Sequence, residues 1–417
     1  MQPDAPVRIL VLTSTFPRWQ NDTEPRFVLD LCEHLAKTFE VVVLAPSAVG
    51  TAKTEYFGGV KVVRYRYAPL QRWERLAAPG AIVPNIRQEP LLALLVPFLI
   101  IGLSYALLRL LYRKRFDVIH CNWIIPQGFA FALLGCLIRT PPAVLTCLGG
   151  DVYVLNKWPF SAIKKWIISK FDRITVITSD MTGELARVAG TAALPPIRHI
   201  PMGVDLSRFN SAPRTSTSGG TAELLFVGRL AEKKGVGHLL AALEDLRLSN
   251  RTDYKLTIAG DGPLRRQLEA QAAGPALRNR VSFLGALSHE ELGPRLNSAH
   301  VLCAPFVVAK DGDRDGMPAV VMEAAASGLP IIASDIGGVR DIVESGVSGW
   351  LLPSGDVSAL TEAILDALNH PDKRTAMGLE IARRARSYSW SAIAEMYAEE
   401  IASAMARGVA ADCARVA

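Results

Sequence analysis

The chain has 417 residues, half of them hydrophobic and 21% charged, with 46 Lys and Arg against 40 Asp and Glu for a net charge of +6. That length exceeds one core and predicts two domains of roughly 200 residues each, while the composition excludes a disordered or low-complexity chain. Much of the positive excess falls in two clusters, Arg64, Arg66, Arg72, Arg75 and Arg87, then Arg109, Arg113, Lys114 and Arg115. Neither is interleaved with an aromatic nucleic-acid motif, so nucleic acid is not an expected partner; an anionic membrane surface or a phosphate ligand fits better.

In chain order, Val7 to Thr13 is a short apolar run, Phe27 to Lys37 a helix with apolar residues at Val28, Leu31, Cys32 and Leu35, and Val41 to Ala45 a second strand. Strand, helix, strand is the opening of a parallel sheet. The loop from Ser14 to Trp19 leaves the carboxyl end of the first strand, where open α/β sheets bind ligands. Further strands are expected at 61–67, 117–122, 143–148, 173–178 and 198–202, and the first half ends near Asp205. The N-terminal MQPDAPVRIL has no basic region followed by a long apolar run, so a secretory signal is not expected and the protein is placed in the cytosol. The six cysteines show no metal spacing and read as core thiols of a reducing compartment.

Leu91 to Leu111 breaks the rhythm with 21 residues carrying one charge, Arg109. It is long enough to span a bilayer. A single span would nevertheless put the two halves of one sheet on opposite sides, and Pro97 and Gly102 weaken a straight helix. With basic residues flanking it, the reading preferred is a helix lying at a cytoplasmic membrane surface, ahead of a wholly buried helix and of a true span.

Ser211 to Thr221 is rich in Ser, Thr and Gly and reads as a linker. A second series follows, with strands near 223–228, 255–259, 280–284, 301–305, 331–334 and 350–352 and helices near 236–248, 263–272, 289–297, 318–327 and 356–369. The predicted architecture is therefore α/β, two Rossmann-like doubly wound domains facing across a cleft, residues 1–205 and 206–388, with an amphipathic helix at 389–405 packing back on the first.

The second half holds the chemistry. Arg229 and Lys234 stand where a strand ending in Gly228 meets a helix, and their charges suit a diphosphate. Gly260 lies in a second tight turn from strand to helix. Asp315 and Glu323 are eight residues apart across the start of the helix near Pro318, with the positive end of its dipole between them. Neither G-x-G-x-x-G after a first strand nor a Walker motif occurs, which argues against dinucleotide oxidoreductases and P-loop enzymes.

The linked set F-V-G-R-L-x2-K-K-G, A-G-D-G-P, D-G-M-P-x4-E-A-x-A-S-G-L-P and G-G-V-x-D-I-V-x-S-G-x-S-G-W-L, over roughly residues 223–370, resembles the family 4 retaining glycosyltransferases of the GT-B fold. The resemblance implies that Arg229 and Lys234 hold the donor diphosphate and stabilise the leaving group. By the same token, Glu323 accepts hydrogen bonds from ribose hydroxyls, and Asp315 faces the donor sugar at a position where the family most often has Glu. Gly228, Gly260, Gly316, Met317 and Pro318 would line the donor. On the acceptor side Arg18, His120 and Asp151 are candidates, with a satisfied buried histidine as the alternative for His120. Leu148 stands where the family commonly has a His.

No cofactor and no metal are implied; Asp311-Gly312-Asp313 has D-x-D spacing but reads as loop acids. The expected donor is a UDP- or GDP-linked sugar, and the expected acceptor a lipid-linked or oligosaccharide glycan at the inner face of the membrane. The alternatives are a non-catalytic sugar-nucleotide binding subunit, or an epimerase or phosphorylase on the same fold.

Overall fold

The computed structural model describes residues 6–416 except 21, 23, 78–81, 192, 210–220, 249–253 and 311. The linker expected at Ser211–Thr221 thus lies outside the described residues, Thr221 apart. The chain forms two compact units: the second takes Thr178–Asp180 and Pro201–Ser389, and the chain returns to the first unit at Trp390.

The first unit holds an eight-stranded sheet of β1 (Arg8–Leu12), β2 (Glu40–Pro46), β3 (Thr54–Phe57), β4 (Val60–Tyr65), β5 (Val118–Asn122), β6 (Ala143–Cys147), β7 (Arg173–Val176) and β8 (Ile197–His199), in the order β3-β4-β2-β1-β5-β6-β7-β8. All pairs are parallel except β3 with β4. The central strands are buried on both faces, which is why they read as unbroken apolar runs rather than as alternation. Strand β3 was not foreseen in the sequence. It is a short edge strand turned back onto β4 at Gly58, whose φ is +54.

The C-terminal helix Trp390–Val416 belongs to this unit and buries Ile393, Tyr397, Ile401 and Ala404 along one stripe. Arg173 meets Glu400 at 2.8 Å and Arg198 meets Glu399 at 2.7 Å, so the helix is pinned to β7 and β8 by charge as well as by apolar contact. The apolar stretch 91–111 becomes a short 3-10 segment, Pro90–Leu95, and the helix Val96–Arg113. Leu99, Leu103 and Leu107 are its buried stripe. Gly102 lies so close to β4's continuation that a Cβ there would sit 2.3 Å from the Arg66 carbonyl oxygen. On the other face Leu91, Leu94, Phe98, Ile101, Tyr105 and Tyr112 are exposed, which overturns the wholly buried alternative.

The first basic cluster also differs from expectation. Arg64 lies in the strand expected at 61–67 but is buried there, paired with Glu55 at 3.1 Å, so it is not an open cation of the cluster. Arg66 is paired with the buried Glu74 at 2.8 Å and Arg75 with Glu89 at 2.8 Å.

The second unit is a six-stranded, wholly parallel sheet of β9 (Ala222–Val227), β10 (Tyr254–Ala259), β11 (Val281–Gly285), β12 (Val301–Ala304), β13 (Ile331–Ser334) and β14 (Gly349–Leu352), in the order β11-β10-β9-β12-β13-β14. This is the 3-2-1-4-5-6 arrangement of a Rossmann sheet, and its order reverses between β9 and β12. Leu224, Phe226, Leu256 and Ile258 of the strands pack with Leu239, Leu243 and Ile364 of the covering helices. The helix Pro371–Ala385, opened by Pro371, was not foreseen.

Candidate active site

In an open α/β sheet the strand ends diverge where the order reverses, leaving a crevice that loops can line. In the second unit that crevice lies beyond β9 and β12, and the residues singled out in the sequence collect there. Beyond β9 the chain runs through Gly228 and Arg229 into the single turn Glu232–Lys234, then Gly235 with φ +64. Gly235 packs against the chain leaving β12: a Cβ at this position would fall 1.8 Å from the Pro305 carbonyl oxygen. Val307 donates its backbone N–H to the Lys233 carbonyl at 2.9 Å. These contacts fix both lysines over the switch point.

Lys234 extends to Asp315, with Nζ 2.6 Å from Oδ2, and lies 4.8 Å from the centre of the Phe306 ring. Lys233 bridges Asp315 at 3.2 Å and Asp313 at 3.4 Å. Burial opposes ionisation of Asp315, yet Lys234 and Lys233 outweigh it and hold the carboxyl below its ordinary value. Burial likewise opposes the charge on Lys233, and Asp315 with Asp313 raises its pKa all the same. Asp315 and Lys233 are therefore both charged at neutral pH.

Lys234 is not a solvated loop cation: its side chain is only 13% exposed and holds a carboxylate that is itself 15% exposed. Lys233 was missed as a site residue; the signal available was two adjacent cations opposite two acids spaced i, i+2, Asp313 and Asp315. Arg229 is half-buried, and among the described residues its guanidinium has no ion-pair partner.

The loop carrying Asp315 is braced by the turn that follows β13. Gly338 donates its N–H to the Gly316 carbonyl at 2.8 Å, and Gly337, with φ +58, comes so close that a Cβ would lie 2.2 Å from that oxygen. Met317 is buried below this turn. Pro318 is the N-cap rather than the first helical residue of Ala319–Ala326, with no side chain capping it, so the first amides of this helix have no capping side chain. Glu323 lies in the middle of that helix, 9% exposed. Gly260, with φ +149, is packed against β9: a Cβ there would meet the Gly228 carbonyl oxygen at 1.9 Å. Its need for glycine is thus explained by backbone approach within the unit.

The first unit places its candidates differently. The Arg18 guanidinium is bound by Asp22 in a bidentate pair at 2.7 and 2.8 Å and lies 4.3 Å from the centre of the Trp19 ring, so it shapes its own loop. That loop is tied down a second time by Arg64, which donates to the Pro17 carbonyl at 2.5 Å. His120 is fully buried on β5, hydrogen-bonded to Thr146 at 2.7 Å and stacked near Tyr397, and burial pushes its pKa down to about 4. It is a neutral core residue, which corrects its place among acceptor contacts. Asp151 accepts from the backbone N–H groups of Ile124, Leu148 and Gly149 at 3.0, 3.1 and 3.0 Å. Burial raises its pKa against the pull of those amides and of Lys164. Asp151 therefore ties the loop after β5 to the loop after β6, a positioning duty rather than an open acceptor contact. Leu148 is the first residue beyond β6, so the departure from His occurs at a loop position.

Two family profiles match in succession, "Glycosyltransferase Family 4" over residues 25–208 and "Glycosyl transferases group 1" over residues 208–384. The chain is 36% identical to the amylovoran biosynthesis glycosyltransferase AmsK of Erwinia amylovora over 39% of its own length and 40% of that protein. It is 30% identical to the phosphatidyl-myo-inositol mannosyltransferase of Mycobacterium leprae over 69% of its own length and 73% of that protein. The match spans 40 to 56% of the length of the first curated relatives. Among solved structures, Anabaena HepE in complex with UDP overlays with a TM-score of 0.68 at 16% identity, covering 95% of this chain and 100% of that one. Two parallel α/β units with this order of strands are those of the GT-B glycosyltransferases. The chain belongs to the family 4, group 1 glycosyltransferases.

Proposed function

We propose that the protein transfers a sugar from a UDP- or GDP-linked donor to a membrane-associated glycan or glycolipid, with retention at the anomeric carbon and without a metal. The observation that carries this reading is the cation cluster at the β9/β12 switch point, Arg229 with Lys233 and Lys234, beside the uncapped N-terminus of Ala319–Ala326. A diphosphate needs several fixed positive groups, and a leaving nucleoside diphosphate needs them most as its charge grows. Arg229 has no competing carboxylate among the described residues and can grip the diphosphate in a bidentate manner. Asp315 aims the Lys234 ammonium, so that it is in place before the bond breaks. Glu323 is assigned to the ribose hydroxyls. The catalytic set proposed is Arg229, Lys234 and Asp315, with Gly316, Met317 and Pro318 shaping the donor pocket.

Relatives named for amylovoran, colanic acid and phosphatidylinositol mannoside synthesis support a polymeric or lipid acceptor. The exposed apolar face of Val96–Arg113, between cations, supports attachment at the cytoplasmic membrane surface. The test is calorimetric titration of UDP and GDP into the wild type and Arg229→Ala. One nucleotide should bind, about 10- to 100-fold more weakly in the variant, as charge-assisted bonds of this kind contribute about 1.5–3 kcal/mol. Equal affinity would remove Arg229 from the donor site.

A further inference from the structure

Behind the apolar face of Val96–Arg113 the first unit holds a groove that the donor chemistry does not use. It lies between this helix and β2 to β4, has a volume of about 710 Å³, and is lined by Lys53, Lys61, Arg64, Arg66, Arg109, Arg113 and Lys114 with no carboxylate in its wall. Arg64, Arg66 and Lys114 are matched from behind by Glu55, Glu74 and Glu40. The other four are not: among the described residues Lys53, Lys61, Arg109 and Arg113 have no ion-pair partner. Four unmatched cations around one concave space, three of them exposed, raise a local positive potential, and such a place gains most from a multiply charged anion.

The rim says where that anion comes from. Ile101 and Tyr105, one turn apart on the same helix, are exposed, and Tyr105 also lines the groove. Exposed Phe98 and Tyr112 extend the apolar surface in both directions along the helix. A soluble anion has no use for an apolar rim, whereas a lipid presents a charged head joined to an apolar tail. We propose that this groove holds the phosphomonoester or diphosphate head of a membrane lipid while the helix face rests in the acyl boundary. The inference rests on the membrane placement above and concerns a site separate from the donor site.

The experiment is sedimentation of the full-length protein with phosphatidylcholine vesicles carrying phosphatidic acid, or phosphatidylglycerol at matched surface charge. Three proteins are compared: wild type, Arg109→Gln/Arg113→Gln, and the control Arg72→Gln/Arg115→Gln, whose arginines do not line the groove. Phosphatidic acid should be preferred, and the groove variant should bind it about 10- to 30-fold more weakly, the loss expected for two cations near an anionic surface. The control should lose less than about threefold. Equal loss in both variants, or equal binding of the two lipids, reduces the groove to diffuse charge and overturns the proposal. Titration with inorganic pyrophosphate is the second arm: tight binding of pyrophosphate by protein that ignores both vesicles assigns the groove to free phosphates and overturns the lipid. Donor nucleotide affinity should be the same in all three proteins, so a failure of the donor reading appears there and not in the vesicle data.

Discussion

Substitution of Lys234 by Ala separates holding the site together from doing its chemistry. It removes an ammonium 2.6 Å from a buried carboxylate and 4.8 Å from the Phe306 ring centre. Breaking a buried ion pair costs about 3–5 kcal/mol when the survivor is left alone. Here Lys233 still reaches the other Asp315 oxygen at 3.2 Å, so about half of that applies. Loss of the ring contact adds about 0.5–1 kcal/mol, for a total near 2–3 kcal/mol. For a unit of this size that lowers Tm by about 4–10 °C. Lys234→Ala/Asp315→Asn removes the stranded charge as well and should recover about 2–4 °C. Transfer should fall about 10²- to 10³-fold in both, because the charge that meets the leaving group is missing from both. Calorimetric melting and transfer assays on the three proteins decide it. A single variant that melts with the wild type, a double variant no more stable than the single, or a double variant that regains transfer would each refute the reasoning.

Other substitutions read other parts of the account. The stability deficit of Asp315→Asn relative to the wild type should depend on pH: the folded carboxyl titrates below its unfolded value of about 3.9, so its contribution is complete above that pH and is lost as the pH falls through the folded pKa. Tm differences measured from pH 6 to pH 2 should shrink toward the acid end; a difference that grows there contradicts the pairing. Glu323→Ala should weaken nucleotide binding by about 1–3 kcal/mol, and unchanged affinity in a titration removes it from the ribose. Gly260→Ala forces a methyl to within 1.9 Å of the Gly228 oxygen, so the loop bearing Arg229 must move and nucleotide binding should be lost together with thermal stability. Phe98→Ser/Ile101→Ser should leave Tm within about 2 °C, both side chains being exposed, while weakening vesicle sedimentation; unaltered sedimentation argues against the helix face as the membrane contact.

The sequence was most legible where burial is symmetrical. Strands of a parallel sheet lie under helices on both faces, so Ile9–Leu12, Val41–Ala45 and Ile331–Ala333 stood out as apolar runs and the alternation with helices gave both units. Strand β3 was not visible because an edge strand such as Thr54–Phe57 buries little, only Phe57 among its side chains. The motif pointed to the loops that carry Arg229, Lys234 and Asp315 and to the helix that carries Glu323, since glycines with positive φ mark where one loop meets another. What the motif could not convey was the pairing. A cation in a loop reads the same whether solvated or buried, and only the packing of Gly235 on Pro305 draws Lys234 inward to Asp315. The same blindness applied to Arg64, His120 and Asp151, whose polar side chains serve loops and core rather than an open surface.

The central claim, glycosyl transfer from a nucleoside diphosphate sugar, is tested most directly by following a labelled sugar. The protein is incubated with UDP- and GDP-sugars in turn and an extract of lipid-linked acceptors, and both label and nucleotide are recovered. The account predicts that one donor is consumed, that its label moves to a glycan or glycolipid with the anomeric configuration kept, and that free nucleoside diphosphate appears in equal amount. Tight nucleotide binding without turnover, or label recovered as an isomerised donor or a sugar 1-phosphate, would contradict it.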